Sequence, residues 1–180
     1  FIFFKKHFSF PKGIQIQIFR SFFLFFSTVF FFYAISVISL AEALTLAFIS
    51  PIIATILSFL ILKEKVGPRR WIAVVAGFIG VLFVIRPGFN EVNIATFAAV
   101  GAGICYAFYV ISTRKLSSID SPLMTLIFTG LTGAIVISLL VPFFWTWLSL
   151  SQWLILISLA AIGTLAHFLL ILSLTLAEAS

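Results

Sequence analysis

The side chains able to do chemistry in this 180-residue chain are few, and most stand alone in apolar surroundings. His167 lies within an apolar run; imidazole ordinarily titrates near physiological pH, so it is a candidate for proton coupling, against the plainer reading of a packed histidine. Glu42 falls between two such runs. There a carboxylate would accept a proton or cation at a membrane edge, or begin a helix whose dipole favours it. Glu64, between Lys63 and Lys65, would close a gate by pairing with Arg69, Arg70 or Arg114, or stand as a solvated loop charge. Pro51 has no N–H, so the Ala47 carbonyl loses its helical partner and a kink beside Ser50 is expected to expose backbone oxygen. Tyr33, Tyr106 and Tyr109 add hydroxyls and aromatic faces inside apolar runs. Cys105 is the single cysteine, which excludes an intramolecular disulfide and a cysteine-based metal site.

The elements that must position these residues are long and apolar. Only 9% of residues are charged and 63% are hydrophobic, more apolar surface than a soluble protein of this size could bury. Six blocks of about 20 residues, the length that crosses a hydrocarbon core, cover 19–40, 43–62, 66–85, 92–113, 122–144 and 152–177. The third is the least regular, because Gly67, Pro68, Arg69 and Arg70 crowd its start. Backbone polar groups in hydrocarbon must bond internally, so each block is expected to be a helix. The alternating pattern of a membrane β-barrel is absent.

The net charge of +6 would suit a nucleic-acid partner if it were clustered on one surface, but it is not. Lys5, Lys6 and Lys12 precede the first block and Arg20 stands at its start, Lys63, Lys65, Arg69 and Arg70 lie around the junction of the second and third, and Arg114 and Lys115 follow the fourth. With six crossings, all ten fall on one side and only Arg86 on the other. This is the charge asymmetry of cytoplasmic loops, so the basic residues are read as topogenic and no nucleic acid is expected. Trp71, Trp145, Trp147 and Trp153 fall near block ends, where tryptophans mark membrane interfaces. Pairs of small residues, such as Gly103 with Ala107 and Gly130 with Gly133, are read as helix contacts. No span shows a strong charge, which favours a neutral or zwitterionic substrate.

The tetrapeptide Leu-Ala-Glu-Ala occurs twice, at 40–43 and 176–179, each copy at the end of a block. Phe32 pairs with Phe168 and Ile35 with Ile171 at the same offset. Five blocks separate equivalent points, and an odd number means that the two repeats cross the membrane in opposite senses.

The stretch 33–88 carries Tyr33-Ala34, the 40–43 junction, Ser50-Pro51, Leu62-Lys63-Glu64-Lys65, Gly77, Gly80 and Arg86-Pro87-Gly88. In these features it resembles the EamA domain of the drug/metabolite transporter superfamily. Residues 92–180, with Tyr106-Ala107 and Thr113-Arg114-Lys115-Leu116, resemble the opening of a second copy. The resemblance implies an all-α polytopic transmembrane helix bundle of ten helices in two inverted five-helix copies. This chain would carry helices three to eight, with residues 1–88 closing the first copy and 92–180 opening the second. It also implies that helices bearing Tyr33, Tyr106 and Tyr109 line a central cavity.

On this reading the chain is a secondary transporter of a bacterial inner membrane, basic loops cytoplasmic, that moves a small organic metabolite by alternating access. Its partners are the lipid bilayer, a small-molecule substrate and a coupled proton or ion, with a homo-oligomer left open. Tyr33, Ser50, Pro51, Tyr106, Tyr109 and His167 are the substrate-binding candidates; Glu42, Glu64 and Arg114 are the gate or coupling candidates. No catalytic residue, metal or cofactor is assigned. An integral-membrane enzyme is the first alternative, but no His-Glu-x-x-His, Gly-x-Ser-x-Gly or Walker pattern occurs. A membrane scaffold is the second, but its docking loops are missing from a chain whose loops are short.

Overall fold

A computed structural model of the chain describes residues 11–85 and 93–176. These residues form an all-α polytopic bundle: α1 Ile14–Val37, α2 Leu40–Ala47, α3 Ile49–Leu57, a π-helical turn Ser58–Leu62, α4 Pro68–Ile85, α5 Ile94–Leu116, α6 Pro122–Phe144 and α7 Leu150–Leu176. Five helices are long and apolar enough to cross a membrane, when Leu40–Leu62 is taken as one broken helix. The third expected block is α4, which carries Arg69 and Arg70 in its first turn.

Local chemistry sets most boundaries. Ser39, Asn93 and Ser121 are N-caps whose side chains accept from the backbone N–H of Glu42, Thr96 and Met124 respectively. Glu42 thus stands in the first turn of α2, where the helix dipole favours its carboxylate. Pro68 and Pro122 occupy first helical positions, which need no N–H donor. The expected kink at Pro51 is a full break. α2 stops at Ala47, Phe48 turns aside with φ −65° and ψ 0°, and Pro51 falls in the first turn of α3.

The π-helical turn ends at Lys63, whose φ of 56° and ψ of 28° are left-handed. Its backbone N–H and that of Glu64 both reach the Ser58 carbonyl, a tight helix end that glycine would adopt more readily. Lys63→Gly should therefore match or exceed the parent in thermal stability by up to about 1 kcal/mol, and Lys63→Val should lose about 1–2 kcal/mol. Detergent melting curves of both variants check this; a valine protein that melts with the parent would contradict it.

α5 is the axis of the bundle. It packs along α1 and also touches α2, α3 and α7. Its buried face is built from Ala95, Ala99, Ala102, Gly103 and Ala107, which lets neighbouring backbones come close. A β-carbon at Gly103 would stand 2.6 Å from the Ala47 carbonyl oxygen, whereas at Gly80, Gly130 and Gly133 it would meet nothing within 4 Å. Gly103 is therefore a contact glycine and those three are not, among the described residues.

Lys12 binds Asp120, Glu64 binds Arg114, and Arg114 binds the Leu174 carbonyl, so the start of α1, the end of the π turn, the end of α5 and the end of α7 share one end of the bundle. Leu40, after the 24-residue α1, lies at the other end. The two repeat positions Leu40 and Leu176 therefore sit at opposite ends. The rest of the second copy, together with Lys5, Lys6, Arg86 and Gly88, lies outside the described residues.

Arg20 corrects the charge map. α1 begins at Ile14 rather than at residue 19, so Arg20 lies well inside the first span instead of at its edge, and its side chain is fully buried. It is not a loop charge. The premise that no span holds a strong charge falls with it, and so does that ground for a neutral or zwitterionic substrate.

Candidate functional site

The break between α2 and α3 opens a cavity of about 340 Å³ against α1, α5 and α7. Ser27 and Phe31 of α1, Phe48 and Ser50 at the break, Tyr106 of α5 and His167 of α7 are among its lining residues. The walls are mostly aromatic and aliphatic, and the hydroxyls and imidazole are spaced around them. That is the composition of a small-molecule site, apolar with a few polar groups that fix orientation. The Ser27 hydroxyl donates to the Ala102 carbonyl at 2.9 Å, which ties α1 to α5 beside the cavity. Among the described residues neither the Ser50 nor the Tyr106 hydroxyl has a protein hydrogen-bond partner, so both are available to a ligand.

Behind this wall the helices are joined by a polar ladder. Tyr109, one turn beyond Tyr106, is fully buried; its ring lies 5.6 Å from that of Tyr106. Its hydroxyl and His167 Nδ1 share a 3.4 Å hydrogen bond, and the imidazole stands edge-on at 5.8 Å between ring centres. The Arg20 guanidinium covers the Tyr109 ring, 5.1 Å from its centre. Arg20 Nη1 donates to the Thr113 hydroxyl at 3.2 Å, and Nη2 donates to the Thr125 carbonyl at 3.1 Å and to the Thr129 hydroxyl. Gln17 Nε2 continues the ladder to the Thr125 hydroxyl at 3.2 Å and to Asp120 at 3.0 Å.

At the end of the bundle where Arg114 lies, three elements are clasped. Glu64 Oε1 accepts from Arg114 Nε at 3.2 Å, and Glu64 Oε2 accepts from the Ser58 hydroxyl at 2.5 Å. Arg114 Nη1 donates to the Leu174 carbonyl at 2.6 Å. The ion pair ties the end of the π turn to α5, and the Arg114 hydrogen bond to Leu174 ties α5 to α7.

Of the substrate-binding candidates, Ser50, Tyr106 and His167 line the cavity and Tyr109 supports it from behind. Tyr33 and Pro51 do not line it. Tyr33 is exposed on the outer side of α1, and Pro51 acts by breaking the helix. Of the gate or coupling candidates, Glu64 and Arg114 meet, while Glu42 stands apart at the start of α2. Gln17, Arg20, Thr113 and Thr129 were not among the candidates. Their signal was present: Gln17, Arg20, Ser21 and Ser27 follow helical spacing through a phenylalanine-rich run and form one buried stripe.

Residues 1–86 match the model of the EamA-like transporter family. Over 81 residues the chain is 43% identical to a riboflavin transporter of Vibrio cholerae, which covers 45% of this chain and 27% of that protein. Over 165 residues it is 25% identical to an S-adenosylmethionine uptake transporter of Rickettsia bellii, covering 92% of this chain and 57% of the relative. A riboflavin transporter of Rhizobium johnstonii is 30% identical over 81 residues, 45% of this chain and 27% of its own length. The chain thus spans little more than half the length of these curated relatives at most. No solved structure matches it.

Proposed function

We propose, from the match of residues 1–86 to the EamA-like transporter family, that the chain forms the central part of a secondary transporter for a small organic metabolite. The cavity at the α2–α3 break carries the proposal. Its aromatic walls, Phe31, Phe48 and Tyr106, suit a flat ring system, and the free hydroxyls of Ser50 and Tyr106 and the His167 imidazole suit polar substituents. Riboflavin and S-adenosylmethionine, named for the relatives, are the first solutes to assay.

Alternating access needs a cavity that opens to one side at a time. The Glu64–Arg114 pair is the closed gate at its end of the bundle, and the break at Phe48 is the hinge. Leu40 and Leu176 at opposite ends support two inverted copies, residues 1–88 closing one and 92–180 opening the other. The charge asymmetry supports a cytoplasmic position for the Arg114 end in a bacterial inner membrane. His167, with Tyr109 behind it, is the residue placed to couple a proton to occupancy. The relatives are named as transporters, which supports release of the ligand unchanged.

The test is uptake by the full-length protein in proteoliposomes, with and without a proton gradient. Saturable uptake of an unconverted solute is expected, and Tyr106→Ala should raise KM about 3–30-fold, the worth of a lost aromatic contact and hydroxyl. Conversion of the solute, or a Tyr106→Ala protein with unchanged uptake, would overturn the proposal.

A further inference from the structure

We infer that the cavity selects solutes bearing an anionic group, a carboxylate or phosphate, because Arg20, which meets no carboxylate among the described residues, places a positive charge behind its Tyr109–His167 wall. This rests on the cavity being the transport site and adds a class of substrate to that reading.

The Arg20 side chain is fully buried, and every acceptor it reaches is neutral: the Thr113 hydroxyl, the Thr125 carbonyl and the Thr129 hydroxyl. Among the described residues its Nε has no acceptor. The acids that could cancel the charge are engaged elsewhere among the described residues. Glu64 pairs with Arg114, Asp120 accepts from Gln17 and from the Lys12 backbone, and Glu42 stands in the first turn of α2. An arginine keeps its proton even in apolar surroundings, so the charge persists.

Hydrogen bonds from neutral oxygens orient a guanidinium without removing its field. Such a field reaches further in a low-dielectric wall than in water. The path to the cavity is short: guanidinium to Tyr109 ring centre 5.1 Å, Tyr109 to His167 ring centre 5.8 Å, and His167 lines the space. At about 11 Å and an effective dielectric of about 20, one unit charge changes the occupancy of a monovalent ion roughly tenfold. An intramembrane arginine that met its needs inside the fold alone would be expected to carry a carboxylate partner. This one does not, among the described residues.

Benzoate, benzamide and benzamidine are flat, nearly equal in shape, and differ in charge from negative to neutral to positive. Dissociation constants for the three, measured on the full-length protein in nanodiscs, isolate the charge effect. Benzoate is expected to bind about tenfold tighter than benzamide, and benzamide about tenfold tighter than benzamidine. Phenyl phosphate forms a second arm: whichever of it and benzoate binds tighter names the headgroup. Arg20→Lys should retain the order, and Arg20→Gln should collapse it to within about threefold; a purely structural clip would lose stability without changing the order.

Equal affinities across the wild-type series, or benzamidine binding tightest, would overturn the inference while leaving the cavity as a binding site. Because this arm uses the unaltered protein, it decides the question even if Arg20→Gln does not fold. Binding by none of the probes would instead sink the cavity reading itself, and the charge inference with it.

Discussion

Gly103→Val is expected to abolish transport, and Gly103→Ala to cost about 1–3 kcal/mol of stability, as overpacking of a close contact does. A β-carbon at this position would stand 2.6 Å from the Ala47 carbonyl oxygen, 2.7 Å from Ile49 Cγ2 and 3.2 Å from the Ala47 carbonyl carbon. Two of those three atoms are backbone, so no rotamer change relieves the clash. The oxygen is also the one that Pro51 leaves without a helical N–H donor, which places the tightest contact of α5 at the weakest point of the broken helix. Relief requires the α2–α3 joint to move away, and that carries Phe48 and Ser50 out of the cavity wall. Gly80→Ala, Gly130→Ala and Gly133→Ala are the internal controls. A β-carbon there meets nothing within 4 Å, so they should be neutral or gain about 0.5–1 kcal/mol from helix propensity. Melting temperature and uptake, measured on all five proteins, separate the sites. A Gly103→Ala protein indistinguishable from these controls would show that the joint is not close-packed.

Glu64→Gln should open the bundle at its Arg114 end and reduce uptake by an order of magnitude or more. The Arg114 and Glu64 side chains are 25% and 12% exposed, so the pair is screened less than a surface pair but is not fully desolvated. Removing one partner then costs about 1–3 kcal/mol, between the small value of an exposed pair and the 3–5 kcal/mol of a buried one. If the pair exists mainly in the closed state, that cost shifts the closed–open equilibrium by about 10–100-fold. Glu64→Gln is the informative change because Arg114 keeps its bond to the Leu174 carbonyl, so α7 stays anchored. Ser50→Cys in a Cys105→Ser background gives the readout. A water-soluble maleimide applied from the Arg114 side should label it several-fold faster when Glu64 is also changed. The exchange Glu64→Arg with Arg114→Glu should restore slow labelling. Unchanged labelling in Glu64→Gln would leave the pair as a tether and remove it as a gate.

The bundle was legible in the sequence because its causes are local. Hydrocarbon obliges each apolar run to satisfy its own backbone, so length and composition suffice to give helices. The caps Ser39, Asn93 and Ser121 act within three residues, and Pro51 breaks its helix through its own covalent structure. The same locality explains why Ser50 and Tyr106 could be singled out, since one adjoins the break and the other carries a hydroxyl on a small-residue helix face.

Arg20 was misplaced for the complementary reason. An arginine near the start of an apolar run reads as a loop charge unless something distant receives its hydrogen bonds, and its acceptors Thr113, Thr125 and Thr129 lie more than 90 positions away. The choice of Arg114 over Arg69 and Arg70 as the partner of Glu64, the cavity volume, and the exclusion of Tyr33 from its wall likewise depend on helices packing across the bundle. Bilayer and backbone chemistry act residue by residue, so the residues alone were enough to read an integral membrane helix bundle that resembles the EamA type, with a kink expected at Pro51. Which polar groups meet inside it, and that the acceptors of Arg20 among the described residues are all neutral, emerged only from the packing, because in hydrocarbon such a group survives only where other helices supply its partners.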